Sequence, residues 1–208
     1  STAPRCADLS ASNSRTETAR LDRKLDCLRR IGLFGENTEG ASITRAQTLD
    51  ELHQAYQLVH DVYVETGFID PEYSGTRLRM FEAKHDTATF VAKVGARVVG
   101  VLSIVPDSAE LGLPSDRAFK EELDVMRKGG SLLCEATNQV LVPEFRKSAV
   151  STELMRCAVA HMTVAGYDAV IATVSPSHNG FYELLRFREV GSLRSYSDKR
   201  HDPVIALC

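Results

Sequence analysis

Three polar side chains alternate along an otherwise apolar segment of this 208-residue chain, and one of them is a carboxylate that could move protons. Within the stretch LLCEATNQVLV, Glu135, Thr137 and Gln139 occupy every second position. Because side chains along a strand alternate between two faces, these residues are predicted to share a face with Leu133 and Leu141. Polar side chains in such a row either line a cavity or bond to partners across the sheet. We favour a cavity at Glu135, since a carboxylate is seldom buried without a function.

A strand, helix, strand crossover is predicted to hold this row in place. After the first strand, an apolar helical period covers Val150–Ala165, and Ala169–Val174 is an uninterrupted apolar run. Two strands joined by a helix in this way lie parallel. A second, shorter helix is predicted after Pro176, with Ser177 as its N-cap, before another strand near Glu189.

The rest of the chain is predicted to complete a mixed sheet flanked by helices, an α/β fold of the α+β kind. Periodicity predicts helices over residues 49–65 and 116–127, and strands over residues 42–46, 88–94, 98–105, 190–196 and 204–207. Residues 67–85 show no period and are predicted to form a long loop over the site. His60, beside an apolar helical stripe, is predicted to be a packing residue with a hydrogen-bonded nitrogen rather than a catalyst. Residues 1–41 are expected to be a flexible end with an amphipathic helix, and residues 42–208 one domain.

Composition argues against several classes of function. The formal net charge of -3 and the isoelectric point near 6.1 disfavour nucleic acid as the main partner. No apolar stretch reaches the length of a transmembrane segment or forms a signal-peptide core, so a cytoplasmic location is expected. The five cysteines lack metal-ligand spacing, so no metal site is expected. Cys134 is predicted to point to the face opposite Glu135, so a cysteine acyl-enzyme is not expected.

The order of elements, the EFRKS turn before the crossover helix and the segment HNGFYELLRFREVG resemble the core of the N-acetyltransferase-like (GNAT) fold. Within that fold, CEATNQVLVPEFR, GLPSDRAFKEELD and HDVYVETGFIDPE are similar to segments of bacterial long-chain N-acyl amino acid synthases of the N-acyltyrosine synthase type, which are related to acyl-homoserine lactone synthases. The resemblance covers residues 43–196. It implies an N-acyltransferase with helices on both faces of a central, mostly antiparallel sheet that has a parallel pair in its middle.

The resemblance also implies roles for individual residues. Glu135 matches the strand glutamate of the lactone synthases, and Tyr182 matches the tyrosine that often serves as general acid in GNAT enzymes. Glu135 would then take a proton from the acceptor amine and Tyr182 would protonate the leaving thiolate. A core aromatic is the alternative role for Tyr182. Thr137 and Gln139 would contact the acceptor. Donor-binding residues would be Leu141 and Val142 through their backbone groups, and Arg146, Lys147, Ser148, Ala149 and Val150 at the start of the crossover helix, where free amides of residues 147–151 favour a phosphate.

Departures from the family pattern bear on the donor and the acceptor. The coenzyme A turn of GNAT enzymes carries a glycine where this chain has Ala149, which favours a single phosphate, as on acyl carrier protein, over a pyrophosphate. Asn138 and Ser103 replace two arginines of the lactone synthases, so their acceptor is not favoured. The resulting hypothesis is direct transfer of a long acyl group from acyl-phosphopantetheine on acyl carrier protein to the α-amine of an amino acid, tyrosine first, with no permanently bound cofactor.

Two other functions stay open at this point. One is a coenzyme A dependent N-acetyltransferase of a small amine, and the other is a non-catalytic acyl-binding module. Because acyl carrier protein is strongly acidic, the preferred hypothesis requires basic residues at the entrance to the site. Arg146 and Lys147 are predicted there, bordered by Arg186, Arg188 and the basic helix of residues 20–30.

Overall fold

The computed structural model describes residues 26, 29, 37–146, 148–197 and 200–208. The flexible end and the basic helix predicted within residues 1–36 therefore lie outside the described residues, apart from positions 26 and 29. Lys147 lies outside them as well. The region predicted to form the domain falls almost wholly within the described part.

Seven strands form one mixed sheet with the spatial order β1-β2-β3-β4-β5-β7-β6. The strands are β1 (Ser42–Arg45), β2 (Ala88–Val94), β3 (Arg97–Pro106), β4 (Leu133–Leu141), β5 (Ala169–Val174), β6 (Arg194–Ser197) and β7 (Arg200–Leu207). β4 and β5 run parallel, and the other neighbouring pairs are antiparallel. The predicted mostly antiparallel sheet with a parallel pair in its middle is confirmed.

Helices cover both faces of this sheet, as predicted. They are α1 (Leu49–Glu65), α2 (Asp116–Lys128), α3 (Val150–Ala165) and α4 (Asn179–Leu184). Val59 of α1 belongs to the same apolar cluster as Val98, whereas Leu154 of α3 belongs to the cluster of Val99. Since Val98 and Val99 are neighbours on β3 and point to opposite faces, α1 and α3 lie on opposite sides of the sheet. Within the described residues, no helix combines the length and the apolar character needed to cross a membrane.

The helix starts follow from local sequence. Thr48 caps α1 by accepting a hydrogen bond from the amide of Glu51, whose carboxylate accepts one from the Thr48 amide, each at 3.2 Å. The prediction of Ser177 as N-cap of the short helix is wrong. A 3₁₀ turn, Pro176–His178, comes first, and His178 is the N-cap of α4. The fixed backbone angle of proline suits the first position of such a turn.

A β-bulge interrupts β4 at Asn138 and Gln139. The pairing of β3 with β4 shifts register between Val101 and Ser103, so both bulge residues lie opposite Leu102. Asn138 has a φ of 57°, in the left-handed region that asparagine tolerates better than most residues. An inserted residue of this kind turns the following side chains to the other face of the sheet.

The bulge reverses the faces predicted for the end of β4. Gln139 donates a hydrogen bond of 3.0 Å to the hydroxyl of Ser151 on α3. Leu141 packs against the cluster of Leu154, also on the α3 side. The prediction that Gln139 and Leu141 share a face with Glu135 is therefore wrong. Side chains alternate strictly between the two faces of a sheet only along an uninterrupted strand.

Candidate active site

An opening forms where β4 and β5 part. The two strands pair only from Leu133 to Glu135, opposite Ala169 to Ile171. Beyond that point lies a cleft of about 430 Å³, here termed the open cleft. It is lined by residues 136–141 of β4 and by residues 173–175, which follow the paired part of β5. A smaller cavity of about 200 Å³, the inner pocket, adjoins it beside Glu135. The two spaces adjoin, since five residues line both: Tyr63, Phe68, Thr137, Thr173 and Ser175.

Glu135 lies on the wall of the inner pocket with only 3% of its surface exposed. Its Oε2 accepts a hydrogen bond of 2.8 Å from the amide of Ser115, the residue before α2. The Ser115 hydroxyl bonds in turn to the hydroxyl of Thr173 on β5. Burial raises the pKa of Glu135 to about 7, although the Ser115 hydrogen bonds and the charge of Arg79 act against this shift. A carboxyl with this pKa can gain and lose a proton near neutral pH, which suits a general base.

A second buried carboxylate, Glu82, is held in a different way. Arg79 Nε lies 3.0 and 3.1 Å from the two carboxylate oxygens of Glu82, and Asn138 Nδ2 donates to Oε1 at 3.0 Å. Burial acts to raise the pKa of Glu82, but the hydrogen bonds and charge of Arg79 and the amide of Asn138 outweigh it and hold the pKa below its ordinary value. Glu82 therefore stays ionised and fastens the loop of residues 67–85 to the bulge.

Two polar residues singled out in the sequence make local contacts. Ser103 Oγ lies 3.2 Å from the hydroxyl of Thr89 on the neighbouring strand. His60 Nε2 accepts from the Glu72 amide at 3.0 Å, and its Nδ1 lies 3.0 Å from a carboxylate oxygen of Asp61. His60 is thus buried with a hydrogen-bonded ring nitrogen, in agreement with the packing role predicted for it.

Tyr182 packs against aromatic side chains and also lines the open cleft. Its ring packs edge-on against Phe181 and Phe187, with centroids 5.2 Å away in each case. Its hydroxyl nevertheless faces the open cleft and donates to Gln139 Oε1 at 3.4 Å. Burial raises the pKa of Tyr182 to about 12, so the phenol keeps its proton at neutral pH and has one to give.

The backbone at the end of β4 presents one amide to the open cleft. The Val142 amide donates to the Val99 carbonyl of β3 at 2.9 Å, so it is already used within the sheet. Because backbone groups alternate along a strand, the Leu141 amide faces the opposite edge, toward the gap with β5. Arg146 lies beside it, with Nε 3.4 Å from the Leu141 carbonyl and a guanidinium nitrogen 3.6 Å from a carboxylate oxygen of Glu65.

The start of α3 is less open than predicted. The Ser148 amide donates to the Phe145 carbonyl at 3.1 Å, and the Val150 amide donates to the Ser148 hydroxyl at 3.3 Å. The Ala149 amide donates to the carbonyl of Asn37 at 3.2 Å, because the chain before β1 passes across the helix start. The expectation of free amides at these three positions is wrong, and their part in donor binding stays a prediction.

Nucleophilic cysteine and metal chemistry find no support in the described residues. Burial raises the pKa of the Cys134 thiol to about 12, so it stays a poor nucleophile. No group of three or more histidine, cysteine, aspartate or glutamate side chains in that part of the chain has an arrangement suited to a metal ion. Among the titratable side chains with raised pKa values that line these two spaces are Glu135 in the inner pocket and Tyr182 in the open cleft.

Sequence reasoning missed several residues that shape this site. No sequence pattern linked Ser115 to the site, yet its amide donates a hydrogen bond to Glu135. Arg77, Arg79 and Glu82 lie in the long loop that was predicted to cover the site, but no local pattern marked them individually. The loop as a whole was the available signal, since long irregular segments in compact domains are often functional.

Comparisons with known proteins agree with this geometry. Residues 54–208 match the family described as N-acyl amino acid synthase FeeM. The structure of FeeM itself, from uncultured soil microbes, is 24% identical, with a TM-score of 0.70 over 80% of this chain and 88% of that one. A CoA-dependent acyl-homoserine lactone synthase, BjaI, is 18% identical, with a TM-score of 0.60 over 81% and 83%. An acyl-CoA N-acyltransferase from Pseudomonas aeruginosa is 16% identical, with a TM-score of 0.57 over 80% and 97%. No curated protein matches the chain.

Proposed function

This chain belongs to the family of the N-acyl amino acid synthase FeeM and is an N-acyltransferase. We propose that it transfers a long acyl group from acyl carrier protein to the α-amine of an amino acid. Tyrosine is the first acceptor to test. One observation carries the mechanism. A carboxyl with a pKa of about 7 and a phenol with a pKa of about 12 line two adjoining spaces that share five lining residues. A base and an acid so arranged can act on either side of a thioester.

The proposed reaction is a direct aminolysis. Glu135 takes one proton from the ammonium group, directly or through water, and the amine nitrogen attacks the thioester carbon. The carbonyl oxygen becomes an oxyanion, which the Leu141 amide is placed to stabilise. The carbon–sulfur bond then breaks, and the Tyr182 phenol protonates the thiolate. The second proton of the attacking nitrogen restores the phenol, and the proton on Glu135 passes to solvent.

Acyl carrier protein is the proposed donor because the start of α3 offers little to a pyrophosphate. The Ala149 amide is bonded to the Asn37 carbonyl, and Ala149 stands where a glycine would let a pyrophosphate approach. The single phosphate of phosphopantetheine needs fewer free amides. Arg146, with 46% of its side chain exposed at the open cleft, could meet the acidic carrier. A carrier-bound donor would place the reaction in the cytoplasm.

Coenzyme A is the second candidate donor, because BjaI is described as CoA-dependent. Parallel incubations with acetyl-CoA, long-chain acyl-CoA and long-chain acyl carrier protein, each with mixed amino acids, separate the possibilities by mass spectrometry. We expect N-acyl amino acid formed fastest from the carrier. Acetylated products alone would replace this proposal with the acetyltransferase. Bound ligand without product from any donor would favour the acyl-binding module.

A further inference from the structure

We propose that Gln139 is a positioning residue for the acid step, because its amide oxygen holds the Tyr182 hydroxyl in the open cleft, where the leaving thiolate forms. This inference rests on the proposed function and adds a residue to that same site. The observation behind it is one hydrogen bond. The Tyr182 hydroxyl donates to Gln139 Oε1 at 3.4 Å, and both side chains line the open cleft.

This hydrogen bond joins the two sides of the gap in the sheet. Gln139 lies near the end of β4, whereas Tyr182 lies on α4, which follows β5. The two strands pair only as far as Glu135 and Ile171, so the side chains are in contact where the backbones no longer are. The Leu141 amide, the proposed donor to the oxyanion, faces the same gap. An acid held here is therefore close to the carbon–sulfur bond that has to break.

The β-bulge of β4 brings Gln139 to this position. On an uninterrupted strand its side chain would share the face of Glu135, whereas the bulge turns it toward α3. There its Nε2 donates to the Ser151 hydroxyl at 3.0 Å, which leaves Oε1 to face Tyr182. An amide oxygen can only accept, so the phenol supplies the proton of the shared hydrogen bond. That proton points toward the end of β4.

The aromatic neighbours of Tyr182 fix its ring but not its hydroxyl proton. The ring packs edge-on against Phe181 and Phe187. Rotation about the carbon–oxygen bond of the phenol can still redirect the proton. Among the residues that the structure describes, Gln139 is the one whose side chain accepts it. Removal of this acceptor should therefore let the proton turn away from the reacting atoms.

The phenol proton changes partner when charge develops on the sulfur. As the carbon–sulfur bond breaks, its electron pair leaves with the sulfur, and an anionic thiolate is a stronger acceptor than a neutral amide oxygen. The oxygen–hydrogen bond of Tyr182 breaks and a sulfur–hydrogen bond forms. The phenolate takes the second proton of the attacking nitrogen and donates to Gln139 again. Gln139 itself neither gains nor loses a proton, so it acts only through Tyr182.

The test varies the leaving group. One donor is the thioester that supports turnover of the parent, which on acyl carrier protein and on coenzyme A alike is the ester of an alkyl thiol. The other carries the same acyl group on thiophenol, a stronger acid whose anion leaves without being protonated. With the alkyl thioester, Tyr182→Phe should lower kcat by about 100-fold or more. Gln139→Met should lower it by about 2- to 12-fold, the contribution of one hydrogen bond, with KM for the donor unchanged.

With the thiophenol ester, both variants should stay within about twofold of the parent, because that leaving group needs no general acid. Gln57→Met makes the same substitution at an exposed position of α1 and serves as the control. It should match the parent with both donors.

Other results overturn the inference in distinguishable ways. Parental kcat of Gln139→Met with the alkyl thioester would show that the phenol does not need this partner. Equal losses with the two donors, or a higher KM in place of a lower kcat, would make Gln139 a structural or donor-binding residue. Should Gln139→Met fail to fold, Ser151→Ala removes only the hydroxyl that holds the amide. It should show the same dependence on the leaving group, and a loss that is equal with both donors would refute the role.

Failure of the proposed function would look different. Equal losses of Tyr182→Phe with the two donors would remove the phenol as the acid, whatever Gln139 does. No product from the parent with any donor would overturn acyl transfer itself.

Discussion

Glu82 and Glu135 are both buried, at 6% and 3% exposure, yet their pKa values shift in opposite directions. Glu82 has an arginine and an asparagine amide as partners, and these outweigh the cost of burying its charge. Glu135 has the amide of Ser115 beside it, and the charge of Arg79 acts on it only at a distance. The effect of burial therefore outweighs both and raises the pKa of Glu135. Depth alone therefore does not decide whether a carboxylate is ionised. The immediate partners decide it, and they keep Glu82 ionised while leaving Glu135 able to hold a proton near neutral pH.

β4 positions both carboxylates. Glu135 is one of its residues, and Asn138 of the bulge in the same strand donates to Glu82. The bulge thus ties the covering loop to the strand that carries the base, while it turns Gln139 toward Tyr182. A comparison of variants at the two glutamates can separate the chemistry of the site from its support.

The largest effect is expected from Glu135→Gln. Glutamine has nearly the same shape and can accept the Ser115 hydrogen bond, so the protein should fold. Without the base, kcat should fall by about 100- to 10,000-fold, the usual contribution of general base catalysis. Steady-state assays with the productive donor measure this loss, and circular dichroism checks the fold. Full turnover in a folded Glu135→Gln protein would remove the base from the mechanism.

Glu82→Gln should act on stability instead. It leaves the guanidinium of Arg79 largely buried without its carboxylate partner, and broken buried pairs cost about 3 kcal/mol or more. Urea unfolding of this variant should show a loss of that order. Glu121→Gln, at an exposed carboxylate of α2, should stay within about 0.5 kcal/mol of the parent. A Glu82→Gln protein as stable as the Glu121→Gln control would mean that the ion pair contributes nothing.

The sequence predicted most of the helices and strands that position these two glutamates. The ranges of α1, β2 and β5 agree with their predicted bounds. α1 has a clear apolar period and Thr48 as its cap, whereas β2 and β5 are short apolar runs. Glu135 was singled out because a carboxylate in a buried strand is unusual on composition alone.

The parts that could not be predicted depend on contacts distant in sequence. Glu82 lies in an aperiodic loop, and its hydrogen bond from Asn138 joins residues 56 positions apart. The bulge depends on how β4 pairs with β3, which no single-strand pattern encodes. The hydrogen bond from the Ala149 amide to the Asn37 carbonyl likewise joins two segments whose contact no sequence pattern predicts.

The pH dependence of stability should distinguish the two carboxylates by sign. The pKa of Glu135 is about 7 in the folded protein against an ordinary 4.5, so the folded state holds this proton more tightly. The stability gained from it is complete below pH 4.5 and is lost as the pH rises through 7. Relative to Glu135→Gln, the parent should therefore lose up to about 3 kcal/mol across this window.

Glu82 should show the opposite trend. Its pKa is lowered, so its contribution is present at neutral pH and is lost in acid. Urea unfolding of the parent and both variants from about pH 2 to pH 8 gives the two difference curves, with the loss for Glu82 expected below pH 4.5. Curves of the same sign, or a flat curve for Glu135→Gln, would contradict the opposed environments of the two groups.

The smallest effect is expected from Asn138→Gly. Glycine adopts a φ of 57° without strain, so the bulge should persist, but the hydrogen bond to Glu82 is lost. A hydrogen bond to a charged group contributes about 1.5 to 3 kcal/mol to the free energy of unfolding. Because Glu82 keeps its pair with Arg79, we expect the variant to lose only about 1 to 2 kcal/mol of that free energy. The midpoint of the pH–rate profile should stay near 7, since Glu135 keeps its Ser115 partner. A shift of that midpoint in Asn138→Gly would show that the ionisation of Glu135 depends, through β4, on the contacts of Glu82.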